Sequence, residues 1–161
     1  MAEYQGYLRV PASARFAIVA SRFNGLVTER LVAGAVEQWV RLGVARHAID
    51  LIWVPGAFEL AGAVARLAPR GYAAIVALGT VVRGETPHFD YVAGQSAAEI
   101  GRLAANGQIP VIYGVLTCNT MDEAQDRAGG KSGNKGSDAA LAAIEMADLY
   151  HQLDASPEGG A

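Results

Sequence analysis

Apolar residues are spaced in two ways along this chain, and the two alternate. Residues 16–20, 49–54, 73–82 and 111–116 are short apolar, β-branched runs bounded by Gly, Pro, Asn or Asp. Continuous runs without polar alternation are what strands of a parallel sheet covered on both faces require. Between them, residues 28–42, 59–68, 91–106, 121–128 and 138–151 read as helices. In the first, Leu31, Val32, Ala35, Val36, Trp39 and Val40 form one apolar stripe at 3.6-residue spacing, while Glu29, Arg30, Glu37 and Arg41 face away. Gly43 is its stop signal. Thr120 followed by Glu123 has the spacing of a capping box for the fourth helix, and Ser137 suits the start of the last. Strand and helix alternating without a hairpin signal imply right-handed crossovers. The fold class expected is therefore α/β, a three-layer α/β/α sandwich around a four-stranded parallel sheet in flavodoxin-like order 2-1-3-4. Residues 11–153 form its single domain. Residues 1–10, with Tyr4, Tyr7, Leu8 and Val10, form an arm suited to adding a strand to a neighbouring subunit's sheet, and residues 154–161 are expected to be a flexible tail.

Length and composition narrow the function classes. At 161 residues, the chain has the size of one domain. Its 52% hydrophobic and 18% charged content fits a compact core and not a disordered chain. A net charge of −3 lacks the basic excess that a nucleic-acid binder uses on phosphates. One cysteine, Cys118, makes no internal disulfide, so the cytoplasm is the expected compartment. Residues 1–9 carry Glu3 and no signal-peptide core, and the longest apolar run, 72–82, is short of the ~18 residues of a membrane helix. A soluble chain with no membrane partner is expected.

In such sheets, ligands bind beyond the carboxyl ends of the strands. The loops expected there are Ser21-Arg22-Phe23-Asn24-Gly25, Pro55-Gly56-Ala57-Phe58-Glu59, Arg83-Gly84-Glu85-Thr86-Pro87-His88 and Thr117-Cys118-Asn119-Thr120. They bring an aromatic ring, carboxylates, a histidine and hydroxyls to one edge, which suits a small-molecule site able to move protons. Phe23 precedes the apolar stripe by several residues and reads as a stacking platform for a flat ring. His88 has the role of a helix cap as its plain alternative; Arg83, Glu85 and Thr86 beside it favour acid/base work. Glu59 serves the dipole of its helix, a ligand, or both. Cys118, with no histidine near it in sequence, reads as a buried small hydrophobe.

Gly130-Lys131-Ser132 matches the end of a nucleotide phosphate loop, but position 125 is Gln where the motif needs its first Gly, and a helix precedes it where the motif needs a strand. What survives is a basic, glycine-rich connector with Arg127, Lys131 and Lys135, suited to an anion at a helix start. His47, His88 and His151 have no metal-ligand spacing, and no metal is expected.

Four motifs carry a family resemblance: Arg22-Phe23-Asn24, Val54-Pro55-Gly56-Ala57-Phe58-Glu59, the run from Ala77 to Tyr91, and Gln125-Asp126-Arg127-Ala128-Gly129 with Gly133-Asn134-Lys135-Gly136. In their order and spacing, over residues 10–151, the chain resembles the lumazine synthases of riboflavin biosynthesis. The resemblance implies a transferase that condenses 5-amino-6-(D-ribitylamino)uracil with 3,4-dihydroxy-2-butanone 4-phosphate, releasing phosphate and water and using no cofactor. It also implies that Phe23 stacks on the pyrimidine, that Ala57, Phe58 and Glu59 bind the ribityl chain, and that the backbone of Thr80, Val81 and Val82 reads the uracil edge. Glu85, Thr86, Arg127 and Lys135 would hold the phosphate, His88 would shuttle the proton, and Tyr113 would pack at the pyrimidine. Position 113 is Tyr where the family commonly has Phe, and Cys118 stands where Thr is expected.

The resemblance further implies a homopentamer with interfacial sites, assembled into a 60-subunit icosahedral shell, with riboflavin synthase as a candidate partner. A single 2-1-3-4 sheet supports the interfacial reading, because its fourth strand is an edge and lies far from its second. A non-catalytic lumazine- or riboflavin-binding shell protein on the same fold is the alternative, and an intact His88 and Arg127 weigh against it. A receiver domain of similar length would need an acidic cluster where this chain has Arg22-Phe23-Asn24.

Overall fold

A computed structural model describes residues 1–155. Four parallel strands, β1 (Phe16–Ser21), β2 (Ile49–Val54), β3 (Ala74–Val82) and β4 (Val111–Cys118), lie in the order β2-β1-β3-β4. The expected sheet order is the observed one. Helices α1 (Gly25–Arg41) and α5 (Lys135–Ala155), with the short α4 (Met121–Asp126), cover one face; α2 (Leu60–Leu67) and α3 (His88–Ala105) cover the other. Because successive strand residues point to opposite faces, each strand feeds both cores. Phe16, Ile18 and Leu78 pack toward α1 and α5, while Ala17, Val19 and Ile75 pack toward α2 and α3.

The stripe on α1 is buried at Leu31, Val32, Ala35 and Trp39. Trp39 lies 5.0 Å from the Phe16 ring, and its indole N–H donates to Ala140 O at 2.9 Å, which ties α1 to α5. The two helices touch most closely at Gly136, where a Cβ would fall 1.9 Å from Leu31 O, so only glycine fits there. Gly43, at φ +96°, closes α1 as its position predicts.

Local chemistry shifts several boundaries. Asn134, not Ser137, opens α5: its Oδ1 accepts from Gly136 N at 2.8 Å and Ser137 N at 3.2 Å, while Ser137 Oγ donates to Gly34 O at 3.0 Å. At α4, Thr120 Oγ1 accepts from Glu123 N at 3.2 Å as expected. The Glu123 carboxylate, however, reaches Asn119 N at 2.9 Å, so the reciprocal half of the box is displaced by one residue. The connector expected between the last two helices is a two-stranded antiparallel ribbon, β5 (Ala128–Gly130) and β6 (Gly133–Asn134). It turns on Gly129 and Gly133, both at positive φ, and lacks the alternating apolar flanks that announce a hairpin.

The arm is not a strand here. Gly6 is buried against the backbone of Glu145 on α5. Tyr7 N donates to Asp148 Oδ2 at 2.9 Å, and Arg9 Nε lies 3.6 Å from Asp148 Oδ1. Helix α5 runs to Ala155, two residues past the expected domain boundary, and the rest of the expected tail, 156–161, lies outside the described residues.

Candidate active site

The carboxyl edge of the sheet is stepped, and the step makes the site. β1 pairs with β3 only as far as Leu78, whereas β3 continues beside β4 to Val82. The β1-facing backbone of 79–82 therefore has no strand partner. One of its carbonyls, Thr80 O, accepts from Asn24 Nδ2 at 2.9 Å. Asn24 sits at φ 56° and ψ 40°, a left-handed turn that asparagine tolerates better than most residues. The chain before it is zipped to the end of β2, since Arg22 N donates to Val54 O at 2.8 Å and Phe23 N to Pro55 O at 3.1 Å. With its backbone pinned, Phe23 holds its ring 70% exposed.

Opposite it, a 3-10 turn at Ala57–Glu59 precedes α2. Gly56 N donates to Glu59 Oε2 at 2.9 Å, so the Glu59 carboxylate braces its own turn; Ala57 is buried beneath and Phe58 is exposed. On the third side, α3 begins at His88, three residues earlier than its apolar spacing predicts. Pro87 precedes it with φ −67°, and no side chain caps the helix, so His88 is a first-turn residue and not a cap.

These elements enclose a cleft of about 720 Å³. Nine of the expected residues line it: Phe23, Ala57, Phe58, Glu59, Thr80, Val81, Val82, Thr86 and His88. Glu85 shares the loop of Thr86 but does not line the cleft. Asn24, from the expected first loop but without an assigned role, and Phe89, Tyr91 and Val92 of α3 line it too. Their signal was present, because 88, 89, 91 and 92 share one helical face once α3 is started at His88.

Tyr113, Arg127 and Lys135 lie elsewhere, in a second groove of about 480 Å³ along β4 and α5. Arg127 donates from Nη1 to Glu123 O at 2.9 Å and, among the described residues, has no carboxylate partner. Lys135 Nζ is paired with Asp138 at 2.8 Å, and Lys131 Nζ with Asp126 at 2.9 Å. The Tyr113 hydroxyl lies 3.4 Å from Ser96 Oγ. Cys118 is buried, and burial pushes its thiol pKa up against the opposing pull of Arg127. A raised thiol pKa suits the packing role expected of it and not that of a nucleophile.

The sequence profile of the 6,7-dimethyl-8-ribityllumazine synthase family matches residues 13–151. This chain belongs to that family. It is 49% identical over 153 residues to the 6,7-dimethyl-8-ribityllumazine synthase of Myxococcus xanthus, covering 91% of this chain and 92% of that one. The Halorhodospira halophila synthase is 48% identical over 152 residues, 94% of this chain and 97% of the other. The chloroplastic synthase of Spinacia oleracea is 47% identical over 155 residues, covering 95% of this chain and 69% of that longer one. The chain is thus a transferase of riboflavin biosynthesis, a lumazine synthase by family, on the flavodoxin-like sheet described above.

Proposed function

We propose that this lumazine synthase carries out its condensation at a site made by two copies of the chain, one supplying the cleft and the other the groove. In the cleft, Phe23 stacks on the pyrimidine of 5-amino-6-(D-ribitylamino)uracil. The backbone of Thr80, Val81 and Val82 reads the uracil, and Ala57, Phe58 and Glu59 receive the ribityl chain. From the neighbour, Arg127 and Lys135 meet the phosphate of 3,4-dihydroxy-2-butanone 4-phosphate beside Glu85 and Thr86, and Tyr113 packs against the pyrimidine.

The chemistry needs only these groups. The ring amine adds to the ketone, and water leaves as the imine forms, which requires a proton delivered to the departing hydroxyl. Phosphate then departs as a stabilised anion, and ring closure with loss of a second water completes the product. His88, at the cleft mouth, carries the proton. A single acid/base group contributes about 10²–10⁴-fold, and the remainder comes from holding two substrates together. A planar Arg at position 127 suits a phosphate through paired donors.

The observation that carries this reading is an exposed Phe23 lining the same cleft as a β3 end, 79–82, that runs past its pairing with β1, in a member of this family. Incubation with both substrates should produce lumazine fluorescence; binding of the pyrimidine without product would sink the reading.

The same proposal gives the quaternary structure: a homopentamer, packed as twelve pentamers into a 60-subunit shell, because the connector 129–136 carries no extra residues to block pentamer contacts. On assembly the arm 1–10 pairs with a neighbouring subunit's sheet edge; its Tyr4, Tyr7 and Leu8 side chains are about half exposed in the single chain. Light scattering separates a shell from one pentamer. Riboflavin synthase, which consumes the product, is the partner such a shell would enclose. The cytoplasm is the compartment proposed, on the single unpaired cysteine. Among the described residues no helix is long and apolar enough to cross a membrane.

A further inference from the structure

Arg83 has no part in the roles above, yet it is the most connected side chain near the cleft mouth. Its backbone N–H donates to Cys118 O at 2.9 Å, one step past the last β3–β4 residue pair. Its guanidinium then spans three elements. Nε donates to Asn119 Oδ1 at 3.2 Å, Nη2 to Asp90 Oδ1 at 3.2 Å and Nη1 to Asp90 Oδ2 at 3.5 Å, while its central carbon lies 4.2 Å from the centroid of the Phe89 ring. Asn119 is itself anchored, since its N–H donates to the Glu123 carboxylate of α4 at 2.9 Å. A planar cation with a fixed fork of donors can do all of this at once; a point-charge ammonium cannot.

Phe89 and Asp90 directly follow His88 in the first turn of α3. The loop leading into that turn, 84–87, is exposed, and among the described residues the side chains of Glu85, Thr86 and His88 have no hydrogen-bond partner. Besides the packing of Phe89 and Val92 against the core, what orients this turn is therefore the Arg83 grip on its second and third residues. With its fork committed to Asp90 and Asn119, Arg83 differs from Arg127, whose guanidinium meets no carboxylate among the described residues. We propose that Arg83 is a positioning residue that sets the place of His88 by clamping the first turn of α3 to the ends of β3 and β4. The inference rests on the reading of His88 as the proton carrier.

The test is a double-mutant cycle on the assembled enzyme. Because a misplacement of about 1 Å at a reacting centre can cost roughly a hundredfold, Arg83→Ala should lower kcat about ten- to a hundredfold with KM for both substrates little changed. Arg83→Lys, which keeps the charge but not the fork, should restore only part of the loss. In a His88→Ala background, Arg83→Ala should cost nothing further, since the residue it places is gone. Asp90→Asn weakens the clamp from the other side while leaving the packing on Phe89, and should give a smaller fall of the same kind. Exposed ion pairs contribute little to stability, so thermal melts of the Lys and Asn variants should match the parent. A full additional loss in the His88→Ala background, or a rise in KM for the butanone phosphate alone, would overturn the proposal. If His88→Ala is slow and Arg83→Ala is not, only the clamp is refuted. If His88→Ala turns over normally, the reading of His88 fails and takes the clamp with it.

Discussion

The cleft above β1, β2 and β3 is lined by Phe23, Phe58, Phe89 and Tyr91, with His88 at its mouth, whereas the groove along β4 and α5 carries Arg127 and Lys135 beside Tyr113. The first can hold a flat ring and move a proton; the second can hold an anion. Their linings share no residue: the cleft is lined from the ends of β1, β2 and β3 with the turn before α2 and the start of α3, and the groove from β4 and α5 with Arg127. On the proposed reading, a reaction that joins a pyrimidine to a phosphate ester would find half a site in each region. The difference teaches why a two-copy site is proposed: in a ring of identical chains, a neighbour's groove would complete each cleft.

The sharpest attack on that comparison is to break each half in a different subunit. His88→Ala should reduce turnover by roughly one to three orders of magnitude with pyrimidine affinity little changed. When His88→Ala and Arg127→Ala chains are unfolded, mixed in equal amounts and reassembled, about a quarter of sites regain both residues by random placement in a heterologous ring. Activity no higher than the mean of the two mutants would mean that both residues act within one subunit. A smaller effect separates the substrates: Arg127→Ala should raise KM for the butanone phosphate about ten- to a hundredfold, in line with the loss of charge-assisted hydrogen bonds, and leave pyrimidine binding near the parent value. Arg127→Lys should recover part of it. Equal damage to both substrates would assign Arg127 to the fold.

The smallest effect is expected at the opposite edge of the sheet, where Asp50 accepts from the Tyr72 hydroxyl at 2.6 Å and pairs with Arg15. The Tyr72 hydrogen bond, with help from Arg15 and against burial, holds the Asp50 carboxyl below its ordinary 3.8. Burial, then Asp50, pushes the Tyr72 phenol above its ordinary 10.0. A depressed carboxyl stabilises the fold above its unfolded pKa, and that contribution is lost as pH falls through the folded value. A raised phenol contributes below 10.0 and its contribution is lost as pH rises past it. Asp50→Asn should therefore lower the melting temperature slightly between those limits, converge with the parent in stronger acid, and leave kcat unchanged. A loss of kcat would show that the two edges of the sheet are not independent.

Much of this was legible in the chain. The apolar runs gave four strands to within two residues at each end, crossover geometry made them parallel, and the flavodoxin-like order expected of such a sheet is the one observed. Loops after the strands yielded six residues of the cleft, Phe23, Ala57, Phe58, Glu59, Thr86 and His88, and the family resemblance added Thr80, Val81 and Val82 of β3. The face of α3 bearing Phe89, Tyr91 and Val92 escaped because the polar stretch before Tyr91 hides a helix that starts at His88. The loop of Asn24 was found but its role escaped, because that role is a left-handed turn and a hydrogen bond to a residue 56 positions away. The ribbon at 128–134 escaped because it is short and lacks alternation.

By itself, the sequence determined what depends on local periodicity and on the type of residue at each strand end: the parallel sheet, its helices, and a rim rich in rings, carboxylates and a histidine. The 2-1-3-4 order already set the residues around strand four apart from the loops after strands one to three. Only the tertiary structure decided the detail: the stepped pairing that leaves 79–82 without a β1 partner and the Arg83 clamp across three elements depend on where strands end relative to their neighbours. Such registers join residues distant in sequence, and no run of neighbours in the chain encodes them alone.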